Sequence, residues 1–289
     1  MAKPFLTVSQ QVEKLRENGL IIADTEIESV QSYLADHNYY RLSGYFRYFQ
    51  QQPIDGHNRF DADTRWRQVR EAHDYDAILA SVLRDGLASI EVVFRSHFAY
   101  LLAQSTGPLG YLEESTYDDT ASGARSKLLK DVAEDVRRSS ERFVQHYDNL
   151  RESLPVWAAA ETLSFGTISR MYGLVSDAGG VYKPLAQRFN VSARASRPVF
   201  RAMVVLRNVC SHHNRIWNRT HGILVDTPPA LRTEPDRSIY SNTPWAWCTT
   251  VAHLADAANG DDSYSNRFWD ALDQFPDWFI DGLTHPSDK

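Results

Sequence analysis

Cysteine is scarce in this chain of 289 residues: only Cys210 and Cys248 occur. Two cysteines cannot make a disulfide framework, so a hydrophobic core must hold the fold. No run of about 18 apolar residues exists, which excludes a helical membrane span. The opening Met1-Ala2-Lys3-Pro4-Phe5 is not followed by the apolar segment and small-residue cleavage site of a secretory signal, so the expected compartment is the cytoplasm. The chain also lacks a glycine-rich phosphate loop ending in Lys-Ser/Thr, a His-Glu-x-x-His zinc motif and a Gly-x-Ser-x-Gly elbow, so no cofactor is expected. Internal repeats and low-complexity tracts are missing as well. The hydrophobic fraction of 43% and charged fraction of 24% suit a folded domain with ample core material.

Acidic residues are absent from one long stretch. Residues 178–225 contain no Asp or Glu, yet carry Lys183, Arg188, Arg194, Arg197, Arg201, Arg207, Arg215 and Arg219, a charge of +8 over 48 residues. The other 241 residues hold 23 basic and 37 acidic groups, net −14, which makes the whole chain −6. A basic block in an acidic protein is a local footprint for a polyanion such as RNA. The alternative is that these side chains pair with acids elsewhere in the fold.

Strand signals are weak throughout, and the periodicity is helical, so the expected fold class is all-α. Tyr75, Ile78, Leu79, Val82, Leu87, Ile90, Val93, Phe94, Phe98, Leu101 and Leu102 recur at steps of three to five and predict one long amphipathic helix over 69–104, ended by Gly107-Pro108. Further helices are expected over 124–149, from Pro155 to Gly179-Gly180, over 184–189, and from Pro198 into the segment discussed next. Two short helices fit residues 7–35, with Asn18-Gly19 as a stop. Residues 221–243 look like a loop with a short strand at 222–225, and the C-terminal residues look helical again. Three regions follow: 1–65 as a helical and aromatic N-terminal segment, 66–220 as a helical core, and 221–289 as a loop and helices that pack on it. Within the first, six of the thirteen residues 37–49 are aromatic, with Arg41 and Arg47 interleaved. Such a pattern serves equally as an aromatic core or as a platform for single-stranded RNA, with Tyr40, Arg41 and Arg47 as contacts.

The segment 207–219 reads Arg-Asn-Val-Cys-Ser-His-His-Asn-Arg-Ile-Trp-Asn-Arg. Histidine exchanges a proton near neutral pH, arginine grips a phosphate through two parallel hydrogen bonds, and asparagine can orient either. Arg207, Asn208 and His212 together are a set that can cleave RNA without a metal. On a helix Asn208 and His212 share a face, while Arg207 is five residues from His212 and points elsewhere. One copy is therefore lopsided, and two copies facing each other across a homodimer would complete it. Taken singly, an arginine or a histidine is more often structural than catalytic. His213 is a possible second histidine, read as structural, Trp217 as core, and Cys210 as a buried filler. Cys210 with both histidines is too small a set for a closed zinc site. Arg201, Arg215 and Arg219 are candidate RNA contacts, the last two one helical turn apart. Glu161 is expected to pair with an arginine on or near the motif helix, or to orient Arg207.

These pieces, taken in order, carry a family resemblance. Asn38-Tyr39-Tyr40-Arg41-Leu42-Ser43-Gly44-Tyr45, Ile90-Glu91 with Arg95, Pro155-Val156-Trp157, Glu161, Phe165-Gly166 and the 207–219 segment span most of the chain. In this arrangement the chain resembles the abortive-infection (Abi) family of bacterial phage-defence proteins, in the AbiD/AbiF group of the HEPN superfamily. The resemblance implies a HEPN-type helical bundle and a nuclease motif of arginine, polar residue, three residues and histidine, which falls on Arg207, Asn208 and His212. The superfamily also tolerates the five-residue gap that His213 would give. The resemblance further implies a dimer with both motifs at one interface and, for some members, control by a small RNA or a partner protein. The leading expectation is a metal-independent endoribonuclease acting as a defence toxin. The alternatives are a non-catalytic RNA-binding module and a scaffold that works by oligomerising.

Overall fold

The computed structural model describes residues 4–119, 123–176, 180–220, 227 and 229–286. Thirteen α-helices and one two-stranded hairpin occur among them, so the fold is all-α. The spine is α4 (Trp66–Thr106), 41 residues and about 60 Å long. Its apolar positions fall on one stripe, and Leu79, Leu83, Leu87, Ile90, Phe94, Phe98 and Leu102 are essentially inaccessible to solvent. Against this spine pack α3 (Tyr39–Phe46), α7 (Val156–Thr162), α8 (Phe165–Leu174), α9 (Tyr182–Arg188), α10 (Ala193–Ser211) and α11 (Pro244–Asn259). Buried side chains from Val12 to Leu283 form one contiguous hydrophobic cluster. No described helix is long and apolar enough to cross a membrane.

Several expected boundaries are redrawn by capping. The expected helix 124–149 is two helices, α5 (Ala124–Arg138) and α6 (Arg142–Leu150). The chain turns between them, where the Ser139 hydroxyl accepts from the Glu141 amide. The helix expected from Pro155 breaks after Thr162. Ser164 caps α8 by accepting from the Thr167 amide, and its own amide donates to Asp135. The motif helix α10 starts five residues before Pro198, at a Ser192 cap. The hairpin, β1 (Gln50–Gln52) with β2 (His57–Phe60), had no clear sequence signal. The expected strand at 222–225 lies outside the described residues. At the N-terminus, α1 (Val8–Glu17) ends at Asn18 and Gly19, as the Asn-Gly stop predicts, and α2 (Ile27–His37) leads into α3.

Two aromatic clusters organise the core. In the first, Phe94 meets Phe200 at 4.2 Å and lies edge-on to Phe165 and Tyr172, so α4, α8 and α10 share one contact. The second surrounds Trp217, which stacks between Tyr45 and Phe279 and touches Tyr48, Phe49 and Trp278. Its indole N–H donates to the Phe279 carbonyl at 2.8 Å. The N-terminal aromatics thus divide: Tyr45, Phe46 and Phe49 are core, while Tyr40 is 86% exposed. The C-terminal α13 (Asp277–Thr284) reaches Trp217 so closely that a Cβ on Gly282 would lie 2.3 Å from its Nε1. Gly282→Ala is therefore expected to lower stability by about 1–3 kcal/mol through overpacking, read as a reduced urea midpoint; an unchanged midpoint would mean that α13 does not dock on Trp217.

Candidate functional site

The motif occupies the last turn of α10 and the residues after it. His212 is the helix C-cap. His213 takes a left-handed conformation (φ 54°), the position where glycine is usual. Its amide donates to the Cys210 carbonyl at 3.2 Å, and the Asn214 amide donates to the Val209 carbonyl at 2.9 Å. These two bonds form a Schellman cap, so the backbone of His213 has a structural job. The side chains of Asn208, His212 and His213 are exposed, and Cys210 is buried. Cys210 therefore cannot join the histidines around a metal, and burial pushes its thiol up to about 12.

Arg207 is held from the spine. Its Nε donates to Glu91 Oε2 at 3.2 Å, with Nη2 3.5 Å from Oε1, and its Nη1 donates to the Asn208 side-chain oxygen at 3.1 Å. The guanidinium carbon lies 5.9 Å from the centre of the Phe165 ring. Glu91 is shared: Arg95, one turn along α4, donates to its Oε1 at 2.8 Å. Arg95 also donates to the Ala160 and Leu163 carbonyls, which closes the C-terminal end of α7. Glu91 and Arg95, four residues apart on α4, thus form an i,i+4 ion pair. The acid expected opposite Arg207 was Glu161; the residue found there is Glu91, and Glu161 faces solvent.

Behind the motif, Asp76 of α4 fixes the turn. This carboxylate is 3% exposed and accepts from the Ile216 amide at 3.1 Å, the Trp217 amide at 2.9 Å and the Tyr45 hydroxyl at 2.7 Å. Burial pushes the Asp76 carboxyl up, opposed by these three donors and by the Arg215 charge. Arg215 donates to the Trp217 and Asn218 carbonyls and passes over Gly44, where a Cβ would meet its Nε at 2.9 Å. Arg219 donates to the Arg215 carbonyl at 3.3 Å. Because α10 ends at Ser211, Arg215 and Arg219 are not one helical turn apart, and both spend donors on the protein's own backbone.

The acid-free block resolves into groups with different partners. Among the described residues only Arg207 of its eight basic side chains pairs with an acid. Arg188 donates to the Ala257 and Ala258 carbonyls, and Arg197 lies 3.8 Å over the Tyr182 ring. Arg194 and Arg201 are exposed and form no ion pair among the described residues. Arg194, Arg197, Arg201 and Asn208 follow one another at helical spacings, so an exposed basic stripe on α10 leads to the motif. Arg41 and Arg47 are exposed on and beside α3, well apart in sequence from that stripe.

A family profile described as Abi-like protein matches residues 32–218. The chain belongs to the Abi-like protein family. No curated protein and no solved structure matches the chain. The matched region begins within α2 and ends just past Trp217, so it contains the Glu91 contacts with Arg95 and Arg207 and the Asp76 contacts with the turn, but not the C-terminal helices.

Two residues that position the Abi-like motif escaped the sequence reading of its surroundings. Helical spacing links Glu91 to Arg95 but not to Arg207, and no motif includes Asp76. The available signal was an aspartate on the otherwise apolar stripe Val69, Ala72, Asp76, Leu79 and Leu83 of α4. Since burial raises the Asp76 pKa in the folded state, the folded protein retains a proton that the unfolded chain loses near pH 4. This group's contribution to stability is therefore fully present at lower pH and declines as pH rises through the folded value. Asp76→Asn, which does not titrate and loses acceptors for the amides, is expected to be destabilised by about 2–4 kcal/mol. Urea denaturation between pH 4 and 7 should show that deficit shrinking as pH rises; a deficit that grows would reverse the assigned direction of the shift.

Proposed function

We propose that this Abi-like chain is a metal-independent endoribonuclease of the HEPN superfamily, AbiD/AbiF group, acting as an abortive-infection effector against phage. The observation that carries this reading is the fixed Arg207 beside exposed Asn208 and His212, at the end of a helix whose outer face is basic. A cleavage site for RNA needs a proton acceptor open to substrate, a cation held in place, and a field that attracts phosphates. His212 takes the proton from the 2′-hydroxyl, whose oxygen attacks the adjacent phosphorus in line. Arg207 offsets the charge that grows on the phosphorane oxygens, and Asn208, bonded to Arg207, orients the phosphate or the histidine. The 5′-oxygen leaves with a proton, giving a 2′,3′-cyclic phosphate and a 5′-hydroxyl. One chain offers one such histidine at this position, so the second proton transfer falls to His212 of a symmetric copy in a homodimer. Glu91 acts as a positioning residue, fixing the guanidinium with its Nη edge toward Asn208. A small regulatory RNA lying on the α10 stripe would block this site.

One observation favours a second reading. Glu91 neutralises Arg207 in the isolated chain, as it would if Arg207 only tied α10 to the spine and the chain bound RNA without cutting it. End-group analysis separates the two. Arg207→Ala and His212→Ala are each expected to lower the rate of single-stranded RNA cleavage by about 10²-fold or more. His213→Ala should have a much smaller effect, and EDTA should leave the rate unchanged. Products should carry 2′,3′-cyclic phosphate, and DNA, without the 2′-hydroxyl, should remain whole. Cleavage that chelation stops, or that also consumes DNA, would remove this mechanism; tight binding with intact RNA would select the non-catalytic reading.

A further inference from the structure

A large groove in the described structure is remote in sequence from the motif. It holds about 1120 Å³ between α1, α3 and the β1–β2 hairpin. That exceeds the roughly 300–1,000 Å³ of most small-molecule sites, and the groove is open along one side, as a chain-like ligand requires. Three features of its lining point to a ligand. Tyr40 is 86% exposed at the start of α3, a large ring with no packing role. Gln50 is 6% exposed; its side-chain N–H donates to the Asn58 carbonyl at 3.1 Å, and its side-chain oxygen has no partner among the described residues. Gln11 donates to the Leu6 carbonyl at 3.0 Å, while its own buried Oε1 accepts nothing. An unpaired buried amide oxygen such as that of Gln11 is uncommon and calls for an explanation.

The charge of the lining narrows the ligand. Lys14 and Arg47 are offset by Glu13 and Glu17, so the groove is close to neutral. A phosphate clamp would need an excess of cations. A flat aromatic face beside unpaired amide oxygens instead suits an unpaired nucleobase, whose ring stacks and whose exocyclic N–H groups donate. We propose that this groove takes an unpaired base of single-stranded RNA, stacked on Tyr40 and read at its edge by Gln50. The choice of RNA as ligand rests on the function proposed above. The groove is a second contact, supplementary to the α10 stripe, and supplies base preference where the stripe supplies phosphate attraction.

The test uses the full chain and a 5′-fluorescein single-stranded RNA 12-mer carrying 4-thiouridine, with anisotropy for affinity and cross-linking for position. Tyr40→Ala is expected to weaken binding about 5- to 100-fold, the range for loss of one base–aromatic stack, and Tyr40→Phe should bind within about twofold of wild type. Because the groove is nearly neutral, Tyr40→Ala should leave the salt dependence of binding unchanged, whereas Arg201→Ala should reduce its slope by about 0.7, the value for one phosphate of a single strand. Cross-links should map to α3 and the hairpin. Wild-type affinity in Tyr40→Ala, cross-links confined to α10, or no binding of the probe would each overturn the groove assignment. The first two outcomes leave the nuclease reading intact, since cleavage is measured separately. Conversely, cross-links at Tyr40 with RNA that is never cut would support the groove and remove the nuclease.

Discussion

Glu91 accepts from two arginines at once, and the geometry of the site depends on that shared carboxylate. It is 19% exposed at its side chain, and its partners Arg95 and Arg207 are 14% and 30% exposed. Partial burial strengthens each contact relative to a surface pair, and it also makes the loss of the acid costly, because two cations would be left facing each other in a poorly solvated gap. Through Arg207 the carboxylate ties α10 to the spine; through Arg95 it ties down the end of α7. Three helices from different sequence regions are thus registered by one side chain. The constraint explains why Arg207, unlike the exposed arginines of its own helix, has a defined direction.

Asp76 does for the chain after the motif what Glu91 does for the chain before it. The two lie 15 positions apart on α4, about 22 Å at helical rise, and they grip opposite sides of the Schellman turn. A buried carboxylate with three donors stops the backbone from continuing as helix past Ser211 and turns Trp217 into the core. The aromatic residues of α3 then have a physical reason to be numerous: Tyr45, Phe46 and Phe49 fill the space around Trp217 and its carboxylate clamp. Gly44 lets the Arg215 side chain cross α3 without a collision. His212 is exposed as the consequence of these buried contacts, since a cap placed there leaves its ring outside the core.

What was legible in the sequence was local. The stripe from Leu79 to Leu102 announced α4 to within a few residues, and the Asn18-Gly19 stop and the helical C-terminus follow from similar short-range rules. The helix breaks at 139–141 and at 163–164 were hidden because apolar periodicity continues across them; a serine stands at each, Ser139 at the end of α5 and Ser164 at the start of α8, and serine alone is a weak signal. The end of α10 was hidden for a related reason, since His213 fills a position that usually advertises itself as glycine. Long-range partners were the least legible. Arg207 and Glu91 are 116 residues apart, and Trp217 and Asp76 are 141 apart. No spacing rule connects such positions, and Glu161 was as reasonable a partner as Glu91 until the helices were packed.

The acid-free block shows why a charge count alone misjudges a surface. Its eight cations look like one polyanion footprint, but Arg188, Arg215 and Arg219 are directed at backbone carbonyls, where a guanidinium closes helix ends and turns. Arg207 is matched by Glu91. The field that reaches solvent from this helix comes from the Arg194, Arg197 and Arg201 side chains, all on one face and leading toward Asn208 and His212. An acid placed among the carbonyl-bound arginines would compete for their donors and loosen the turns, and an acid on the outer face would cancel the stripe. The same absence of Asp and Glu therefore serves two physical ends, one inside the fold and one at its surface. Only the second concerns a phosphate ligand, and it comes from fewer charges than the sequence displays.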